Sequence, residues 1–243
     1  MTDPPVRPAP TAAPAIVKHT RHGDVLLVQM DDGKANALSP EMLSSLDAAL
    51  AAAEKDAKAL VLTGREGRFS AGFDLKHMMA GPDSARALVK QGAEVLMRLY
   101  LHPQPVVIAC SGHALAGGAL LVLCGDVRVG ARGAFKIGLN EVSIGMPLPI
   151  LAHELARDRL EPRHFLAATL FAAQYLPERA VDVGYLDRLV EPEELVPSAI
   201  LQAEELTRLP AEPYALTKRS IRRGVAEHIR ATVDANIREF TGG

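Results

Sequence analysis

The chain of 243 residues is short of most features that mark a specialised surface or a covalent framework. Its formal net charge is only −2, with 27 Lys and Arg against 29 Asp and Glu. No single-sign field is therefore available to hold nucleic acid or an anionic membrane. No apolar run approaches the roughly 18 to 20 residues that a membrane-spanning helix needs. The two cysteines, Cys110 and Cys124, lie in apolar surroundings without metal-ligand spacing, the pattern of buried free thiols. Residues 1–14 are rich in Pro and Ala but have neither the basic nor the apolar segment of a secretory signal. They are expected to form a flexible tail on a soluble, cytoplasmic protein.

Catalytic signatures are also scarce. There is no G-x-S-x-G elbow, Walker A loop, G-x-G-x-x-G fingerprint or H-E-x-x-H pair, so hydrolase, kinase, dehydrogenase and zinc-peptidase chemistry lose their usual support. His113 has no nucleophile or orienting carboxylate in its local sequence and His77 is no better supported, so neither is expected to be catalytic.

What the chain does have is an alternation of short strands and helices. Residues 16–20 and 25–30, separated by Arg21-His22-Gly23-Asp24, are expected to pair as a hairpin. Ser39 as N-cap and Pro40 at the first helical position start a helix that ends near Lys55. Residues 59–63 form a short, continuously apolar run, as in a strand buried on both faces of a parallel sheet, and 105–109 and 127–131 are expected to be a short apolar strand and another buried strand. A long helix is expected over 84–101, a helical turn over 74–79 and extended chain at 69–71 and 135–137. Beyond Pro147 the pattern turns helical, over 150–159, 162–170, 193–209 and 226–240, with a strand in 184–190. The expected class is α/β: a β/α core over 15–145 and a helical region over 146–243 whose last helices can pack on another subunit.

Two glycine turns stand out. One, in Cys110-Ser111-Gly112-His113-Ala114-Leu115-Ala116-Gly117-Gly118, is expected to lead from a strand through a tight turn into a helix. Glycines at a helix start leave unsatisfied N–H groups open to an anion, or merely allow close packing. The other is Phe69-Ser70-Ala71-Gly72-Phe73-Asp74-Leu75. Together the two turns can aim one N–H each at a common point, which is what an oxyanion hole requires. Glu141 is the best acid/base candidate, because its neighbours Leu139, Val142, Ile144 and Met146 are apolar and would raise its pKa. Asn140 beside it is neutral, and Leu120, three residues after Gly117, is expected to make a dry wall where a second carboxylate would have made a second base. Lys218, Arg219, Arg222 and Arg223 are expected to form a solvated basic helix face, with anion contact as the alternative.

These residues resemble the crotonase (enoyl-CoA hydratase/isomerase) superfamily from about Val17 to the C-terminus. The likeness is carried by Asn36-Ala37-Leu38, Phe69-Ser70-Ala71-Gly72-Phe73-Asp74-Leu75, Gly112-His113-Ala114-Leu115-Ala116-Gly117-Gly118 and Gly138-Leu139-Asn140-Glu141. The resemblance implies a ββα-spiral core with a C-terminal helical trimerisation region, hence a homotrimer or dimer of trimers. It implies a coenzyme A thioester as substrate, so that coenzyme A is no separate cofactor, and no metal. It also implies Phe73 and Gly117 N–H groups on the thioester oxygen, and Ala71, Gly72, Asp74 and Leu75 along the substrate path, with Leu120 and Asn140 lining the site. Hydratases of the family carry two glutamates; here Glu141 matches one and Leu120 stands at the other. That departure is similar to the Δ3,Δ2-enoyl-CoA isomerases, in which one base suffices. A 2-enoyl-CoA hydratase with one carboxylate and a non-catalytic binder, including an RNA-binding branch, are the alternatives; the last is disfavoured by the single basic residue in the helix that starts at Pro40.

Overall fold

The computed structural model describes residues 15–241, so the expected tail over 1–14 lies outside the described residues. A hairpin opens the fold: β1 (Val17–His22) pairs antiparallel with β2 (Val25–Met30) through a turn in which Gly23 has φ +56°. Ser39 then caps α1 (Pro40–Asp56) by accepting the Met42 N–H.

From there the chain winds as a spiral in which each turn contributes two strands and then helix. The first turn is β3 (Ala59–Thr63), β4 (Gly67–Ser70), the short α2 (Leu75–Met78) and the long α3 (Pro82–Tyr100). The second is β5 (Val106–Cys110), β6 (Gly112–Leu115) and α4 (Gly117–Leu123). The third is β7 (Val127–Ala131), β8 (Ile137–Gly138) and α5 (Ile150–Arg159). The remaining elements are α6 (Phe165–Ala168), α7 (Pro177–Val183), β9 (Arg188–Val190), α8 (Leu195–Leu206) and α9 (Ala211–Thr241).

The first strand of each turn enters a six-stranded sheet of order β1-β2-β3-β5-β7-β9, parallel except for the β1–β2 pair. The second strand enters a three-stranded parallel sheet, β4-β6-β8. The central strands β3 and β5 of the large sheet are buried on both faces, as their hydrophobic runs require. Leu60, Leu62, Val106 and Ile108 pack with α1, α3 and α4, while Ala59, Val61, Val107 and Ala109 pack with Leu195, Ala199 and Ala203 of α8.

Three expectations need correction. The glycine run contains strand β6 where a tight turn was expected, and β6 belongs to the second sheet. The last helix starts at Ala211, not near residue 226, because Pro213 falls in its first turn, where a missing N–H costs nothing. It packs on α3 and α5 of its own chain. The basic face is not solvated throughout: Lys218 and Arg222 are buried and paired with Asp126, at 2.6 and 3.0 Å, while Arg219 and Arg223 are exposed.

Candidate active site

The small sheet positions the site. Its three strands run parallel, so the segments that follow them all leave from the same end. Phe73 lies three residues beyond β4, Gly117 two beyond β6 and Glu141 three beyond β8, with β6 the central strand. The Ala116 N–H bonds the Gly138 carbonyl at 3.0 Å, so the last two turns leave in contact.

The first two turns touch directly. A side-chain carbon on Gly72, whose φ is +89°, would come within 2.9 Å of the Gly117 nitrogen and 2.8 Å of the Ala116 Cβ. Ala116 itself has φ +50°, which turns the chain sharply from β6 into α4. The Phe73 ring lies against Gly92 of α3 on one side and Gly117 on the other, so a side chain at Gly92 would collide with it. Phe73 forms a parallel bridge with Leu38 in which Leu38 bonds the Gly72 carbonyl (2.8 Å) and the Asp74 N–H (3.3 Å). In that register the N–H of Phe73 itself points away from Leu38. Among the described residues, neither the Phe73 nor the Gly117 N–H donates to a turn, cap or side-chain acceptor. One of these two unengaged amides stands at the positive end of α4, and the residue before the other, Gly72, packs closely on Gly117.

Glu141 is 7% exposed, and its Oε2 atom has no hydrogen-bond partner among the described residues. Burial pushes its carboxyl up to about 7, against the opposing pull of its own backbone N–H. Tyr185, fully buried, also leaves its hydroxyl unpartnered; burial raises its pKa, and Tyr175 and Glu141 add to the rise. Tyr185 therefore lies within electrostatic reach of Glu141, and sequence reasoning missed it because it stands in no motif. Asn140 is half-buried with Oδ1 unpartnered. Leu120 is fully buried in the core one turn into α4.

The other expected site residues surround the first turn. Ala71 and Leu75 are exposed, and Gly72 is buried. Asp74 caps α2 by accepting the Lys76 N–H at 2.8 Å and contacts His77 Nδ1 at 2.9 Å. Burial raises the Asp74 carboxyl, but these bonds outweigh it and hold it below its ordinary value. His77 thus supports a cap. His113 is likewise structural: its Nδ1 accepts the Lys136 N–H at 3.0 Å, and its ring meets Phe135 edge-on. A surface cleft of about 440 Å³, lined by Asp126, Arg159, Tyr214 and Lys218 among others, lies at the opposite end of α4, where Arg159 holds the Leu123 and Gly125 carbonyls. No group of three or more His, Cys, Asp or Glu side chains among the described residues could hold a metal ion.

Comparison with known proteins bears on the fold and the family. A Mycobacterium tuberculosis protein, described as an enoyl-CoA isomerase in one solved structure and as a probable enoyl-CoA hydratase in another, superposes with a TM-score of 0.88 at 40% identity in both, covering 93% of this chain and 99% or 96% of the other. Human mitochondrial Δ3,Δ2-enoyl-CoA isomerase superposes with a TM-score of 0.89 at 28% identity, covering 93% and 91%. A putative enoyl-CoA hydratase of Thermus thermophilus is 34% identical over 81% of this chain and 79% of its own length. The model of the enoyl-CoA hydratase/isomerase family matches residues 20–242. With the spiral, the paired amides and the buried carboxylate in place, the chain belongs to this family of enzymes, the crotonase superfamily.

Proposed function

We propose that this chain shifts a double bond from C3 to C2 of an enoyl-CoA thioester. Glu141 takes a proton from C2, and the electron pair delocalises into a thioester dienolate whose oxygen is held by the Phe73 and Gly117 N–H groups. The same carboxyl then returns the proton to C4, which leaves the double bond between C2 and C3. Ala71, Gly72, Asp74 and Leu75 border the coenzyme A path, and Leu120 and Asn140 line the reacting end. Coenzyme A is part of the substrate in this reading, and no further cofactor is required.

The observation that carries the reading is one buried carboxylate with an unpartnered oxygen, on a turn next to two unengaged amides, while a buried leucine occupies the first turn of α4. Hydration calls for a water held between two carboxylates; isomerisation needs only one base. A carboxyl raised to about 7 is suited to both taking and returning a proton near neutrality. Hydration with a single carboxylate is the competing reading, since a relative is named a putative hydratase.

A competition assay separates them: formation of conjugated thioester from a 3-enoyl-CoA against hydration of crotonyl-CoA, both as kcat/KM. Isomerisation is expected to dominate. Glu141→Gln is expected to lower it by about 10²- to 10⁴-fold, with acyl-CoA affinity retained. Wild-type isomerisation by the variant, or hydration as the faster reaction, would overturn the reading.

A further inference from the structure

Asn36 is fully buried and has φ +51°, a left-handed conformation that asparagine tolerates better than most residues. All of its polar groups are engaged. Its Nδ2 faces three carbonyls, those of Met30 at 3.0 Å, Arg68 at 3.1 Å and Phe69 at 3.2 Å. Its Oδ1 accepts the Asp32 N–H at 3.0 Å, and its own N–H donates to Asp32 Oδ1 at 2.9 Å. Its carbonyl accepts the Ser70 hydroxyl at 2.7 Å, and the Ser70 oxygen in turn accepts the Gly72 N–H at 3.3 Å.

The neighbours of Asn36 continue the pattern. Ala35 accepts the Ala71 N–H at 3.0 Å, and Leu38 engages Gly72 and Asp74 as described above. Every residue from Arg68 to Asp74 except Phe73 is thus bonded to residues 35–38. The pattern holds the turn on both sides of one amide and leaves that amide open.

We propose that Asn36 is a positioning residue for the reaction: by clamping the Arg68 and Phe69 carbonyls and the Ser70 hydroxyl, it fixes the direction of the Phe73 N–H towards the thioester oxygen. The inference rests on the reading of Phe73 as an oxyanion donor. Oxyanion donors act through preorganisation, so a turn that keeps its fold but loses its clamp weakens the transition state more than it weakens substrate binding. Asn36→Gly relieves the left-handed backbone and removes the side-chain bonds to the Arg68 and Phe69 carbonyls, leaving the backbone carbonyl that accepts the Ser70 hydroxyl. Asn36→Asp keeps the shape and the bond from the Asp32 N–H, but removes both Nδ2 donors and sets a carboxylate against three carbonyls.

The test reads three quantities on wild type, Asn36→Gly and Asn36→Asp: kcat and KM for a 3-enoyl-CoA, the melting temperature, and the ¹³C shift of the thioester carbonyl of bound butyryl-CoA. Expected are a fall in kcat of about 10- to 10³-fold, up to the loss of a whole donor, a KM within threefold of wild type, and a carbonyl shift moved back towards that of free thioester. Ser70→Ala, which breaks the turn's separate bond to the Asn36 backbone carbonyl, is expected to move the carbonyl shift the same way and takes over if neither Asn36 variant folds. A lower melting temperature with kcat per folded molecule and carbonyl shift unchanged would overturn the proposal, leaving Asn36 a purely structural residue. The carbonyl shift needs no turnover. If the wild-type protein polarises the thioester through this turn yet does not isomerise 3-enoyl-CoA, the proposed reaction fails and the clamp stands.

Discussion

Burying the Glu141 carboxyl makes its charged form costly, and the cost has a sign in pH. The folded value of about 7 lies above the ordinary 4.5, so between these values the folded chain keeps a proton that the unfolded chain has released. The stability tied to this proton is fully present below about 4.5 and is lost as pH rises through about 7. Glu141→Gln removes the charge, and at pH 8 it is expected to be more stable than wild type by up to about 3 kcal/mol, with the difference small at pH 5. Urea denaturation at the two pH values measures this; equal stabilities at pH 8 would dispose of the buried-charge account. The kcat/KM of the wild type should rise with pH and level off above about 7. The sequence pointed to a raised pKa for a reason that is only partly right. Leu139 is fully buried, but Val142 and Ile144 are 42% and 50% exposed. Tyr185, whose raised pKa reflects in part the charge of Glu141, stands far along the chain, and no local pattern could have revealed it.

At the scale of elements, the two members of the glycine pair differ. The Gly117 amide donates to no turn, cap or side-chain acceptor among the described residues. Gly118 is a packing glycine, since a side-chain carbon there would lie well inside contact distance of the Ser70 carbonyl and 2.9 Å from the Ser70 Cβ. Gly118→Ala must push apart α4 and β4, whereas at Gly117 the nearest groups are the movable side chains of Leu38 (3.0 Å) and Phe73 (3.3 Å). We expect Gly118→Ala to cost about 1 to 3 kcal/mol or more in stability, and Gly117→Ala less, as read by thermal melting. Equal melting temperatures for the two variants would refute the assignment. The motif was visible in the sequence, but β6 was not: Gly112-His113-Ala114-Leu115 has no β-branched residue. Its strand state comes from pairing with β4 on one side and β8 on the other, a tertiary cause that local preference does not report. β3 and β5 were legible because burial on both faces leaves a nearly uninterrupted hydrophobic stretch, whereas β7 carries the buried Arg128 within it.

On the scale of the whole molecule, α9 is fastened across the end of the core opposite the small-sheet turns, near the C-terminus of α4. The Asp126 carboxylate receives the Val106 N–H at 2.7 Å, Lys218 at 2.6 Å and Arg222 at 3.0 Å. Arg222 also donates to the Tyr100 carbonyl at 2.8 Å, and its guanidinium lies 4.6 Å from the centre of the Tyr100 ring. A run of Lys and Arg in a sequence is ordinarily a solvated face, and only the position of Asp126 at the start of β7 makes two of these cations internal. The Lys218 and Arg222 side chains are only 6% and 7% exposed. Burial already draws the Lys218 ammonium down to about 8 against the pull of Asp126, and removing the carboxylate would draw it lower. Asp126→Asn keeps an acceptor for the Val106 N–H but leaves two buried cations without a counter-charge. It is expected to lose about 3 to 5 kcal/mol of stability, measured by urea denaturation at neutral pH, with kcat of the folded protein little changed. Adding Lys218→Met should recover part of the loss, because one of the stranded charges goes with it. A variant within 1 kcal/mol of wild type, against the larger loss expected of a broken buried pair, would mean that α9 is held by its apolar contacts through Ala226, Ile229 and Val233 instead.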